Sequence, residues 1–407
     1  MSKLAILGGK PLREKPWPKW PHHNEREREA ALRVAESGRW QLGLEVETFE
    51  RQFAEYVQAK HAICAMNGTV TMEIGLRAFG VGAGDEVIIP THTFIATALA
   101  VLMVNAMPVF VDSEPENYNM NPEEVEKAIT SRTKAIIPVH VSGVPCDMDA
   151  ILDIAKRHKL RILEDAAHAH GSEWRGQRIG AVSDLASFSF QTGKVMTSGD
   201  GGALTTSDDD LAALCRSLRA FGYGYKEPLM TSNYRLTEFQ GAILQVQLAR
   251  LDEQISIRDE NARYLSECLS QVDGLTPARR DERVTRLSWC MYVLKYNARH
   301  FKGLPKAKFI EAVRAEGVPI SNVYAPLHQL PLLTERRFAP KGCALVQERF
   351  GRPMDYRKVN CPVAERAYTE EGLWLQHDSG VLSGSRTDID EVVAAMMKVQ
   401  ENVDELL

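Results

Sequence analysis

Between residues 86 and 165 the chain alternates short β-branched runs with longer amphipathic stretches, and that alternation restricts the fold more than any other feature. EVIIP (86–90), PVFVD (108–112), KAIIPV (134–139) and RILED (161–165) read as buried strands. FIATALAVLMVN (94–105), PEEVEKAIT (122–130) and DMDAILDIAKRH (147–158) read as the helices between them. Strand, helix, strand at this spacing predicts an α/β fold whose mostly parallel sheet is covered on both faces. In such sheets ligands sit beyond the carboxyl ends of the strands. A helical pattern from Glu238 to about Gln271 is far longer than a usual helix and predicts a bridge between two domains. Beyond it, MYVLKY, AKFIEAVRAEG and DIDEVVAAMMKVQENVDEL predict a smaller α+β domain. The expected organisation is an N-terminal arm over 1–24, a large domain over 25–255 and a small C-terminal domain over 256–407. The arm carries Pro16, Trp17, Pro18, Trp20 and Pro21; proline disfavours helix, so it is expected to be extended, its tryptophans seated on a neighbouring subunit.

Composition narrows the function. A 407-residue chain with 25% charged residues and a net charge of −5 lacks the basic face of a nucleic-acid binder. Seven scattered cysteines, never in a C-x-x-C pair, predict reduced thiols rather than a disulfide framework or a metal site. The first residues, MSKLAILGGK, contain no apolar signal-peptide core, and no stretch is long and apolar enough to predict a membrane span. A cytoplasmic small-molecule enzyme is the expectation.

Three stretches carry chemistry. In SFSFQTGKVMTSGDGGAL (187–204), Lys194 follows a strand-like run and is flanked by Gly193, Gly199, Gly201 and Gly202, which permit close backbone approach. Ser189 stands five residues before it, a hydroxyl suited to a phosphate oxygen. A lone loop lysine is ordinarily a solvated charge. Asp165 ends RILED and is followed by small residues; a carboxylate there can be a cap, a metal ligand, or the acidic partner of a pyridine nitrogen. Gly68 and Thr69 precede an apolar-periodic helix, where backbone N–H groups and a hydroxyl attract phosphate, although N-G-T is also a turn signal. A lysine, a carboxylate and a phosphate loop, all at strand ends, fit pyridoxal 5′-phosphate (PLP).

With NGT at 67–69, GDEVIIPTHTFIATA at 84–98, EDAAHAHG at 164–171, SFSFQTGKVMTSGDGG at 187–202 and SNYRLTEFQGAI at 232–243, the chain resembles the DegT/DnrJ/EryC1/StrS sugar aminotransferases. Within them it looks most like the scyllo-inosose aminotransferases and 3-amino-5-hydroxybenzoate synthase. The resemblance implies PLP-dependent transferase fold type I, aspartate aminotransferase-like. It implies that Lys194 forms the internal aldimine and is the catalytic residue, that Asp165 pairs with the ring nitrogen, and that His168 sits near the ring hydroxyl. Phe94 would stack on the ring, Gly68, Thr69 and Ser189 would hold the phosphate, and Asn233 would reach the cofactor of the neighbouring subunit in a homodimer with shared sites. No metal is implied.

The reaction so implied is a ping-pong transfer of an amino group from L-glutamine or L-glutamate to a keto-cyclitol or keto-sugar. His140, Tyr324, His328 and His377 are candidate substrate contacts, though a lone histidine is more often a satisfied structural residue. Two departures lie where relatives shape the substrate pocket: Gln376-His377 stands in place of a His-His pair, and the segment GYGYKEPLMT after Phe221 is short. A dehydratase forming an aromatic amino acid and a non-catalytic PLP-fold regulator are the alternatives. Sugar dehydration is disfavoured, because relatives that perform it carry histidine where this chain has Lys194.

Overall fold

The computed structural model describes residues 3–222, 229–335 and 355–407. Helices α1 (Glu25–Ser37) and α2 (Leu44–Val57) lead into β1 (His61–Ala65), α3 (Gly68–Ala78), β2 (Glu86–Pro90), α4 (Ala96–Met103) and β3 (Met107–Val111). There follow α5 (Pro122–Ala128), β4 (Thr133–Ile136), α6 (Met148–His158) and β5 (Arg161–Asp165). Two short strands, β6 (Glu173–Trp174) and β7 (Gln177–Arg178), precede β8 (Leu185–Ser189), β9 (Gly202–Thr206) and α7 (Asp209–Arg219). The large sheet has seven strands in the order β1-β9-β8-β5-β4-β2-β3. Pairs β2–β3, β2–β4, β4–β5 and β5–β8 are parallel, and β9 alone runs against its neighbours β8 and β1.

Strands β2 and β5 have the bounds their β-branched runs predict. Strand β4 stops at Ile136, short of the expected Val139, because Pro138 has no N–H to continue the ladder. The alternation of helix and strand returns every parallel strand in the same direction, so the ends of β2, β5 and β8 open toward one edge.

The helical stretch after residue 237 is two helices, α8 (Glu238–Ala249) and α9 (Leu251–Leu269), not one. The ladder breaks at Arg250 (φ −110°, ψ −2°), whose side chain reaches the His22 carbonyl at 3.0 Å and Glu27 at 2.9 Å. Helix α8 packs on α1 and α2, whereas α9 packs on the C-terminal helix Arg386–Glu401, so one straight rod cannot serve both surfaces. The remaining elements are β10 (Leu275–Pro277), β11 (Val284–Arg286), β12 (Met291–Tyr296), α10 (Lys306–Ala315), β13 (Ile320–Asn322) and β14 (Gly372–Gln376). Strands β10-β12-β14-β13 form an antiparallel sheet, and β11 joins β6 and β7 in a three-stranded one.

Within the chain, both of the arm's tryptophans find hydrogen-bond acceptors. Trp17 donates to the Gly317 carbonyl at 2.9 Å beneath the Arg13 guanidinium, and Trp20 donates to the Thr192 carbonyl at 2.6 Å. Six cysteines are free thiols; Cys343 lies outside the described residues. Among the described residues no helix is long and apolar enough to cross a membrane.

Candidate active site

A cavity of about 590 Å³ opens at the carboxyl ends of β5 and β8. Gly68, Thr69, Phe94, Asp165, His168, Ser189, Lys194 and Tyr324 all line it, together with Gln376 from the end of β14. Residues separated by more than 300 positions thus meet because the strands of two sheets end at one place.

The start of α3 is built for close approach. Asn67 caps the helix by accepting from the Val70 N–H at 2.9 Å, leaving the leading amides of the helix at the cavity wall. Thr71 donates to the Gly68 carbonyl at 2.8 Å and contacts the Ser187 hydroxyl at 2.6 Å, which pins the first turn to β8. A Cβ on Gly202 would lie 2.6 Å from the Asn67 carbonyl carbon, so β9 presses directly against the helix entry. Leading amides, the Thr69 hydroxyl and the Ser189 hydroxyl form a cradle with the donors a phosphate requires.

Asp165 is buried at the end of β5. It accepts from the Thr97 hydroxyl at 2.8 Å and the Ala167 N–H at 3.2 Å. Burial pushes its carboxyl up from the ordinary value, while the Thr97 and Ala167 donors and the Lys194 charge pull the other way. Lys194 is half-buried in the loop after β8; among the described residues no carboxylate pairs with its amine. The Cys290 thiol faces the same cavity, and burial pushes it up to about 11 against the pull of Lys194, so it remains neutral.

His168 accepts the Ser142 N–H at Nδ1 (3.2 Å), which in the neutral ring leaves the hydrogen on Nε2. Its ring stacks on Tyr324 (centroids 6.4 Å, 18°), and Tyr324 packs edge-on against Trp374 at 4.7 Å and lies 6.0 Å from Phe94. Burial raises the Tyr324 phenol, which therefore stays a hydrogen-bond donor at neutral pH.

The structure does not bring two of the candidate substrate histidines to this cavity. His140 is fully buried, with Nε2 on Glu164 at 2.9 Å and Nδ1 accepting the Cys146 N–H at 3.1 Å. His328 sits between Thr91 (2.7 Å) and Glu365 (3.1 Å), beside a separate hollow that Tyr356 also lines. Each is a histidine satisfied on both nitrogens. Asn233 is exposed and bridges to Ala220, outside its own chain's cavity. The His377 side chain lies outside the described residues, as does 223–228 of the GYGYKEPLMT segment. Sequence reasoning missed Thr93, in the turn just before Phe94, and Thr97, inside the FIATA stretch where threonine reads as helix filler.

A family model described as the DegT/DnrJ/EryC1/StrS aminotransferase family matches residues 21–397. The L-glutamine:2-deoxy-scyllo-inosose aminotransferase of Streptoalloteichus tenebrarius is 39% identical over 428 residues, covering 99% of each chain. The 3-amino-5-hydroxybenzoate synthase of Amycolatopsis mediterranei is 41% identical over 373 residues, covering 89% of this chain and 92% of the relative. A crystal structure of 3-amino-5-hydroxybenzoic acid synthase superposes with a TM-score of 0.83 at 33% identity, covering 97% of this chain and all of that one.

Proposed function

The chain belongs to the DegT/DnrJ/EryC1/StrS family of PLP-dependent aminotransferases, and we propose that it moves an amino group from L-glutamine or L-glutamate to a keto-cyclitol or keto-sugar by ping-pong transamination, with Lys194 holding the cofactor. The observation that carries this reading is that Lys194, Asp165 and the entry of α3 line one cavity. The match to glutamine:inosose aminotransferases over nearly the full length of both chains supports the donor and the cyclitol acceptor.

When bound, PLP supplies an aldehyde carbon for the amino group and a pyridinium ring that stores an electron pair. Asp165 holds the ring nitrogen protonated, its buried carboxylate already oriented by Thr97. The cradle of Gly68, Thr69 and Ser189 binds the phosphate. Phe94 would cover a face of the ring, and the Nε2–H of His168 would donate to the ring hydroxyl. Lys194 would hold the aldehyde carbon of the cofactor and, as a free amine, would take the proton from the donor's Cα. Tyr324 donates to an oxygen of the acceptor, and Gln376 at the cavity rim suits a neutral polyol. Asn233 reaches the phosphate of a second copy in a homodimer; exposed Trp40, Leu42 and Leu44, at 57%, 76% and 70%, supply apolar surface for that copy to cover.

The similarity to 3-amino-5-hydroxybenzoate synthase supports a second reading, dehydration to an aromatic amino acid. Borohydride reduction of the yellow holoenzyme followed by peptide mass mapping tests the first claim: the cofactor mass is expected on the Lys194 peptide, and its appearance elsewhere refutes the assignment. Incubation with glutamine and a keto-cyclitol then separates the two reactions, an aminocyclitol supporting transamination and an aromatic product supporting dehydration.

A further inference from the structure

The hydroxyl of Thr97 has a single hydrogen, and it is given to Asp165 Oδ2 at 2.8 Å. Asp165 and Thr97 are both buried, Thr97 completely. The Thr93 hydroxyl stands 3.0 Å from that of Thr97. Because the hydrogen of Thr97 is spent on a carboxylate, which only accepts, Thr93 must donate to Thr97. The result is a one-way chain from the cavity wall, where Thr93 lies, through α4 to the carboxylate at the end of β5. The Ala167 N–H fixes the other oxygen at 3.2 Å. The two donors fix the carboxylate plane while Asp165 still lines the cavity.

Packing does not call for the hydroxyl. Thr97 is followed in α4 by the buried Ala98, Ala100 and Val101, and a valine has the same shape. Burying a hydroxyl is unfavourable unless its hydrogen bond is worth more than its lost hydration, and bonds to charged groups are the strong ones. We propose that Thr97, backed by Thr93, is a positioning residue that holds the Asp165 carboxylate ionised and aimed at the ring nitrogen of the cofactor. This rests on the reading of Asp165 given above and assigns the residues that keep it in that state.

The test compares two probes on the apoprotein: PLP itself, and a carbocyclic analogue in which C–H replaces the ring nitrogen. Both retain the phosphate, the aldehyde and the ring hydroxyl. Thr97→Val is expected to weaken PLP by about tenfold, the scale of one hydrogen bond to a charged group, and to leave the analogue unchanged. Thr97→Ser should restore PLP binding. Equal losses for both probes would mean that Thr97 only shapes the fold, and unchanged PLP affinity would mean that it does nothing; either overturns the inference. Thr97→Ala repeats the comparison if valine is not tolerated. Asp165→Asn is the control: if it binds PLP as well as the parent protein does, the ring-nitrogen role of Asp165 fails, and the Thr97 inference fails with it.

Discussion

Gly68 stands so close to Ser189 that a Cβ added at position 68 would lie 2.9 Å from the Ser189 Cβ. The contact joins the first residue of α3 to the last residue of β8, the two elements that form the proposed phosphate cradle. Gly68→Ala must therefore push the helix entry away from the strand or turn the Ser189 side chain. We expect at least a tenfold loss of PLP affinity, read by titrating the apoprotein, with denaturant stability reduced by about 1 kcal/mol. Unchanged affinity would show that the cradle does not hold the phosphate.

His140 and Tyr324 separate two roles that sequence alone could not. His140→Ala leaves the buried Glu164 Oε2 without its partner at 2.9 Å, while Oε1 keeps its bonds from Ser183, and a buried unsatisfied group costs about 2 kcal/mol. Denaturation should show that loss, while KM for the keto acceptor stays unchanged in the folded variant. Tyr324→Phe keeps the ring packed on Trp374 and removes only the hydroxyl. It should raise KM for the acceptor with stability preserved, as steady-state kinetics and a melting curve together would show.

The legible part of the molecule is the part written locally. Strands β2 and β5 were readable because β-branched runs alternate with stretches of helical period, and the placement of Asp165, Gly68 and Lys194 in one cavity was legible because they stand at a strand end, a helix entry and a glycine-rich loop after a strand. The break at Arg250 was not readable: the apolar period continues across it, and only the different surfaces under α8 and α9 force the interruption. The histidines misled for a related reason. Glu164 and Glu365, which satisfy His140 and His328, lie 24 and 37 residues away, so nothing beside either histidine in the chain shows that it is occupied.

The arm is held to the C-terminal helix by charge, which makes its attachment sensitive to acid. Burial alone would raise the Asp388 carboxyl, but hydrogen bonds from Arg13 (2.7 Å), Ser385 and Lys15 outweigh it and hold the group below its ordinary 3.8. A carboxyl depressed in the folded state contributes stability that is present above its unfolded value and is lost as pH falls through the folded one. Limited proteolysis of residues 3–20 should therefore speed up below about pH 4. Asp388→Asn should be cut faster already at neutral pH and show a smaller change on acidification.

Two histidines should dominate the pH dependence in a higher window. His92 is fully buried against Tyr118, Tyr324 and Trp374, neither of its ring nitrogens has a hydrogen-bond partner among the described residues, and burial lowers it to about 4. His170 lies against Phe188 and Phe190, and burial together with the Lys194 charge lowers it to about 3. Both remain neutral in the fold, whereas the unfolded chain binds their protons as pH drops past 6.5. The unfolded state then holds more protons than the folded one, so stability rises with pH across this range and falls on acidification. Between about pH 6 and 4 each histidine contributes a slope of up to about 1.4 kcal/mol per pH unit. Denaturant titrations at several pH values should give a shallower slope for His92→Leu and for His170→Leu, by about one proton each, whatever the substitutions do to stability at neutral pH. An unchanged slope would mean that these rings are protonated in the folded protein and that their apolar surroundings do not govern them.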